Sequence, residues 1–500
     1  MASDPTDRPL SWPLAAGLTF LAAGSVLVLE IAAGRLLAPY VGVSLTTYTG
    51  IIGAILAGIA IGAWVGGRMA DAFGPKVLLG PTFMLGGVAA MASVPIVAMV
   101  GAAGLGDGFV AIVVLATVAF VAPAAILSAV GPMIVRASLT DVGTSGSVVG
   151  RLSAMGTVGA ITGTFLTGFV LLGLVPTSVL IVAVGSLLVV TGLALTVVLR
   201  RGGGPQTAVL ALAAVAMGGL AVAGPSTCDT ESAYYCISIV ADRDDMDGRT
   251  LILDRLTHAY VDVADPTVVR FGYVQRFADA AGPYLDSLGR PADVLHLGGG
   301  GFTFPRFLDA THADIRQVVL ELDPRVLQVA REQLGFTPSD AISVRLGDAR
   351  LSIEALSTDS FDLVVGDAFG GLAVPWHLTT TEFLREIQRV LRPGGMYVMN
   401  LIDYPPLGFV RAEAATAGRL FEHVAVIAPP ATLAGRDGGN VVLVASAEPI
   451  DVDQVTARIG RWGPASATGI LADPSEVTAF IGDAVILTDD FAPVDQLLGR

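Results

Sequence analysis

The sequence predicts a multi-pass α-helical membrane domain followed by an α/β domain, and three observations predict it. Residues 1–224 are almost continuous apolar sequence, in stretches that each come near the ~20 residues needed to cross a bilayer. From about residue 290, short hydrophobic strands alternate with helices, the pattern of a doubly wound parallel sheet. Charge divides at the same place: the first 224 residues carry eight basic and six acidic side chains, the remainder 21 and 38. The expected organisation is a membrane domain over 1–224, a linker and small β region over 225–265, and an α/β domain over 266–500.

Seven spans are expected, at about 13–38, 46–67, 77–100, 109–135, 148–172, 177–199 and 206–224. The first is too long, and followed by too many others, to be a cleaved signal peptide. Small residues recur within them, as in Gly58-Ile59-Ala60-Ile61-Gly62 and from Gly156 to Gly163, and close helix packing is their expected role. Arg8, Arg68, Lys76, Arg136, Arg151, Arg200 and Arg201 flank one set of loops, whereas the opposite set has only Arg35. The positive-inside rule then puts the N-terminus in the cytoplasm, and seven spans put the acidic half outside. Glu30 and Arg35 lie in or near the first span, where pairing is expected over an ion path. Cys228 and Cys236 follow the last span; two thiols and a disulfide are both open, and the latter needs an oxidising compartment.

The segment Gly67-Arg68-Met69-Ala70-Asp71-Ala72-Phe73-Gly74-Pro75-Lys76 resembles the loop between helices two and three of major facilitator transporters. In that family the loop faces the cytoplasm, which agrees with the orientation read from charge. Seven spans fall short of that family's usual twelve, so a complete transporter is not expected.

In the second half, strands are expected at 235–241, 250–254 and 259–263, then a helix over 268–288. Strands follow at 293–297, 315–320, 342–346, 361–366 and 395–401, with helices at 303–310, 324–334, 350–356 and 380–391 between them. Ligands of such sheets bind beyond the carboxyl ends of the strands, and candidate residues stand at those ends. Gly298, Gly299, Gly300 and Gly301 close the first strand, where absent side chains let a ligand approach the backbone. Glu321 ends the second and is placed to accept hydrogen bonds from ribose hydroxyls. Asp323 precedes Pro324 and is expected to cap a helix. Asp348, with Ala349, ends the third strand and suits the exocyclic amine of a base; Asp367 ends the fourth.

Several chemistries are excluded. Lys76 is the one lysine, so the second half has no Schiff-base or phosphate-loop lysine. The five histidines are dispersed and no zinc pattern is present. The acidic balance argues against nucleic acid as a partner and suits a cationic small molecule.

The second half resembles the spermidine synthase (polyamine aminopropyltransferase) family, in the subgroup fused behind membrane helices, over about 251–400. The residues that carry the resemblance are Leu253-Asp254-Arg255-Leu256-Thr257-His258, Tyr273, the glycine loop, Glu321-Leu322-Asp323, Gly347-Asp348-Ala349, Asp367 and Leu391-Arg392-Pro393-Gly394-Gly395. Leu487-Thr488-Asp489-Asp490-Phe491-Ala492-Pro493 also looks like the fused subgroup, and a capped surface turn or a role in the site is open for it.

The resemblance implies a Rossmann-like domain of the methyltransferase and spermidine synthase type, and a transferase of polyamine biosynthesis. It implies no permanently bound cofactor and decarboxylated S-adenosylmethionine as co-substrate. Glu321 would meet the ribose, Asp348 the adenine, and His258 and Tyr273 the substrate. Asp367 would take a proton from the attacking amine, because a protonated amine has no lone pair. Three residues depart from the family: Gly301 and Gly370 stand where it usually carries aspartates that help bind the diamine, and His258 stands where a glutamine is usual.

The expectation is therefore a membrane-anchored enzyme that transfers an aminopropyl group to putrescine or to another amine. Its alternatives are a methyltransferase using S-adenosylmethionine, and a non-catalytic nucleoside- or amine-binding domain on a transporter-derived protein. A homo-oligomer is left open.

Overall fold

A computed structural model of the chain describes residues 9–104, 106, 108–139, 141, 143, 145–200, 205–224, 228–462 and 468–499. Arg8, Arg201 and Pro225 lie outside them. The chain divides into two compact units, Met1–Cys236 and Ile237–Arg500.

Among the described residues of the first unit, seven helices are long and apolar enough to cross a membrane: Trp12–Val41, Leu45–Phe73, Pro75–Gly101, Phe109–Ser138, Ser145–Leu174, Thr177–Leu199 and Pro205–Ala223. They follow the seven expected stretches. The glycine-rich segments are packing surfaces: a Cβ on Gly62 would stand 2.0 Å from the Ala125 carbonyl oxygen, and one on Gly159 would stand 2.3 Å from that of Phe20. Glycine at these positions lets two backbones touch.

The ends of this bundle separate by contact. At one end the Leu10 N–H donates to the Ala137 carbonyl, and Arg136 pairs with Asp71 of the facilitator-like loop at 3.4 Å. At the other, Arg35 donates to the Ser232 carbonyl and the Glu231 carboxylate accepts from the Thr177 N–H. Arg35 thus reaches backbone beyond its helix, and no bond joins it to Glu30 among the described residues. Cys228 and Cys236 are joined in a disulfide.

The second unit begins with an antiparallel meander, β1 (Cys236–Ala241, in the second unit from Ile237 onward), β2 (Gly248–Leu253) and β3 (Leu256–Asp262). After α1 (Gly272–Ser287) comes the alternation β4 (Asp293–Leu297), α2 (Thr303–Thr311), β5 (Arg316–Glu321), α3 (Pro324–Gln333), β6 (Ile342–Leu346), α4 (Ala349–Glu354), β7 (Phe361–Gly366), α5 (Thr381–Val390) and β8 (Leu391–Asp403). Then α6 (Gly408–Ala417) leads to β9 (His423–Ala428), β10 (Gly439–Ser446) and β11 (Gly469–Leu471). The large sheet has the order β11-β9-β10-β8-β7-β4-β5-β6.

Strands β4 to β8 are parallel, whereas β10 pairs antiparallel with both β8 and β9. The sheet is mixed, then, and the sequence reading stopped short of its last three strands. Alternation at period two feeds two cores. Leu295, Leu297, Tyr397 and Met399 face one layer with α5 and α6, while Val294, Met396 and Val398 face the other with α1 and α2. Strand β7, buried along its whole length, holds the centre and delivers Asp367 at its carboxyl end.

Candidate active site

Because β4 to β7 are parallel, the loops that follow them collect at one edge of the sheet, and backbone bonds tie these loops together. The Gly298 N–H donates to the Leu320 carbonyl at 2.8 Å, and the Asp367 N–H donates to that of Leu297 at 2.9 Å. Gly298 takes a φ of +94°, and a Cβ there would stand 2.5 Å from the Asp367 carbonyl oxygen. Only glycine meets both demands.

Glu321 is buried beneath this loop. One carboxylate oxygen accepts from the N–H groups of Gly299 (2.8 Å) and Gly300 (3.2 Å), and the other accepts from that of Asp323 (2.8 Å). Burial pushes its pKa up, against the pull of those three donors. Asp323 caps α3 through the Arg325 N–H, as expected. Asp348 also caps a helix: one oxygen accepts from the Arg350 and Leu351 N–H groups, and the other lies 3.3 Å from His377 Nε2. Ala349 is the first residue of that helix.

A cavity of about 210 Å³ opens beside the glycine loop. The structure brings His258, Tyr273, Asp367 and Gly298 to Gly301 to its wall. Glu321 meets it through the loop that it clamps. Asp348 and Ala349, at the end of β6, are not among its lining residues.

Asp367 is the chemical centre of the cavity. Its Oδ2 accepts from the Tyr273 hydroxyl at 3.0 Å and its Oδ1 from Asn400 Nδ2 at 2.9 Å. Asn400 Oδ1 accepts in turn from Asn440 Nδ2 at 3.0 Å. Burial pushes the carboxyl up to about 6, with the Asn400 and Tyr273 bonds pulling the other way. His258 and His296, both lining the cavity, are pushed down to about 4 by burial. They are therefore neutral imidazoles near neutral pH. A carboxylate so placed can hold a cation and accept a proton from it.

Asn400 and Asn440 are site residues that the sequence reading missed. An asparagine inside the apolar run of β8 is a signal, because a buried amide needs partners. Asn440 has no such local signal, since β10 meets β8 only through the antiparallel pairing.

The structure also gives a reason for one absent carboxylate. A Cβ on Gly301 would stand 2.7 Å from Ala259 Cβ and 2.9 Å from Val261 Cγ2, so β3 fills that space. Gly370 has room, with Pro375 Cγ nearest at 3.7 Å. The C-terminal motif forms a braced turn: Asp489 pairs with Arg350 at 2.6 Å and accepts from Thr380 at 2.7 Å, and Thr488 bridges to Phe491.

Residues 295–399 match a family model described as a methyltransferase domain. A polyamine aminopropyltransferase of Vibrio vulnificus is 35% identical over 113 residues, 22% of this chain and 38% of that protein. An eEF1A lysine and N-terminal methyltransferase of Danio rerio is 31% identical over 127 residues, 24% of this chain and 18% of that protein. The chain thus spans less than half the length of these curated relatives. Among solved structures, a probable spermidine synthase from Corynebacterium glutamicum has a TM-score of 0.49 and 29% identity, covering 52% of this chain and 95% of that one. The second half of the chain is a Rossmann-like domain of methyltransferase and spermidine synthase type, similar in sequence to the polyamine aminopropyltransferases.

Proposed function

We propose that the α/β unit transfers an aminopropyl group from decarboxylated S-adenosylmethionine to an amine, in a chain anchored by its apolar helices. One observation carries the reading: a buried carboxylate, Asp367, faces a cavity floored by a nucleoside-type glycine loop. The amine lone pair attacks the propyl carbon next to the sulfonium. A carbon–nitrogen bond forms, the carbon–sulfur bond breaks, and sulfur keeps the electron pair and leaves as a neutral thioether. Asp367 frees that lone pair beforehand by taking one proton from the bound ammonium, and the product leaves as a secondary ammonium while the carboxyl returns its proton to solvent.

Tyr273 and Asn400 orient that carboxylate, each donating to a different oxygen. The clamp of Glu321 on the glycine loop leaves acceptor capacity for ribose hydroxyls, and the Asp348 oxygen near His377 is the acceptor offered to the base. Holding donor and amine in line provides the remaining acceleration.

The test supplies the full chain in detergent with this donor and an amine, and follows methylthioadenosine and the aminopropylated amine by mass. Their appearance supports the reading. A methylated amine formed from ordinary S-adenosylmethionine, with no aminopropyl transfer, would overturn it.

The proposed location is the cell membrane, with the positively charged loops in the cytoplasm and the acidic half outside. Arg68, Lys76, Arg136 and Arg151 flank the loops after the second and fourth helices, the end at which Leu10 meets Ala137. The segment carrying Glu231 and Ser232 meets the opposite end. The Cys228–Cys236 disulfide, within that segment, suits an oxidising compartment.

A further inference from the structure

The C-terminal motif, residues 487–493, takes no part in the proposed transfer, yet its turn is tied to the elements that carry Asp348. Leu487 is fully buried; its N–H donates to the Thr416 hydroxyl and its carbonyl accepts from the Thr381 N–H. Thr488 and Phe491 exchange backbone hydrogen bonds at 3.0 Å, which leaves Asp489 and Asp490 at the tip of the turn. The Asp489 carboxylate grips an arginine with both oxygens: Oδ1 accepts from Arg350 Nη1 at 2.9 Å and Oδ2 from Nη2 at 2.6 Å. The same Oδ1 accepts from the Thr380 hydroxyl at 2.7 Å.

Arg350 stands between this turn and the residues assigned to the base. Its own N–H is capped by Asp348 Oδ1, and its Nη1 also donates to the His377 carbonyl at 2.8 Å. His377 Nε2 in turn lies 3.3 Å from Asp348 Oδ2. A guanidinium held bidentately has a fixed direction, whereas an arginine without that grip samples several rotamers. His377 occupies one lone pair of Asp348 Oδ2, so its placement sets which acceptor direction remains for a ligand.

We propose that Asp489 is a positioning residue for the nucleoside base: through Arg350 it fixes His377 against Asp348, and so sets how sharply the site distinguishes an amino-bearing base from an oxo-bearing one. The inference rests on the reading of Asp348 as the acceptor offered to the base.

The experiment compares methylthioadenosine with methylthioinosine, which share ribose and thioether and differ in one base substituent, an amine against a carbonyl. Each is titrated into the full chain in detergent, and binding is followed by calorimetry without amine present. The chain is expected to prefer methylthioadenosine by about tenfold or more, the order of one hydrogen bond to a charged group. Asp489→Asn is expected to reduce that preference about threefold, the order of a partly exposed ion pair, by weakening methylthioadenosine alone. Arg350→Lys, which keeps the charge but not the fork, is expected to do the same and serves if Asp489→Asn fails to fold. Asp490→Asn, at a side chain with no hydrogen bond or ion pair among the described residues, is expected to leave the ratio unchanged. A turn that only braces the fold would weaken both nucleosides alike. Equal losses or an unchanged ratio in a folded Asp489 or Arg350 variant would therefore overturn the inference, as would a wild-type chain without preference.

The same variants are then offered decarboxylated S-adenosylmethionine and an amine. An Asp489-dependent preference without any aminopropylated product removes the proposed transferase activity and leaves the positioning role standing. Aminopropyl transfer with a base preference indifferent to Asp489 does the reverse, and binding of neither nucleoside overturns both.

Discussion

An ionised Asp367 is costly where it sits, and a cation beside it would offset that cost. Its carboxyl is raised by burial to about 6 from an ordinary value near 3.8. The sign follows: ionisation disfavours the folded state, so this group's contribution to stability is fullest at low pH and is lost as pH rises toward 6. In the proposed transfer, activity runs the other way, because the carboxylate form would be the base. Turnover per unit substrate is expected to climb about tenfold per pH unit below 6 and to level off above it; a profile flat down to pH 4.5 would remove Asp367 as the titrating base. Asp367→Asn keeps the shape and removes the charge, and is expected to lower transfer by about 10²–10⁴-fold. Nucleoside binding, measured by titration, should stay within about threefold, and equal loss of both in a folded variant would count against the role. Asp367 was legible because it ends a buried strand. The Asn440–Asn400 chain behind it was not, since two amides 40 residues apart meet only across an antiparallel strand pair.

Elements are held at the opposite, amino-terminal edge of the sheet by an ion network that the sequence showed only as a motif. Arg392, of Leu391-Arg392-Pro393-Gly394-Gly395, donates to Asp362 at 2.7 Å and to Asp293 at 2.8 Å, and Arg290 also pairs with Asp362. Asp362 is fully buried, and burial raises its carboxyl, but the bonds from Arg290, the Asp293 N–H and Arg392 outweigh this and hold it below the ordinary range. Stability from this group is present above pH ~4 and is lost as pH falls through its depressed value. Arg392→Ala is expected to destabilise the unit by about 1–3 kcal/mol at pH 7, seen as a lower Tm, with the deficit shrinking on acidification. A deficit independent of pH would assign the loss to packing of the Arg392 stem instead. Strands at 293–297, 342–346 and 361–366 stand where apolar runs put them. Strands β9 to β11 went unread because the βα alternation that guides such a reading ends at β8.

For the whole molecule, the proposed anchoring in a membrane puts the acidic half outside. A tag at the C-terminus is expected to be reachable by protease in intact cells, and Cys228 and Cys236 to resist alkylation until reduced. A protected tag together with two free thiols would reverse the orientation. The sequence by itself determined the seven apolar helices, the parallel strands and the acids at their ends, because hydrophobic period and strand-end position are local properties of a chain. The tertiary structure alone decided which of those acids share a cavity. It gathered Asp367, Tyr273, Asn400 and Asn440 from separate elements, and it filled the space beside Gly301 with Ala259 and Val261. Contacts between residues far apart in sequence depend on how sheets and loops pack, and no local pattern records them.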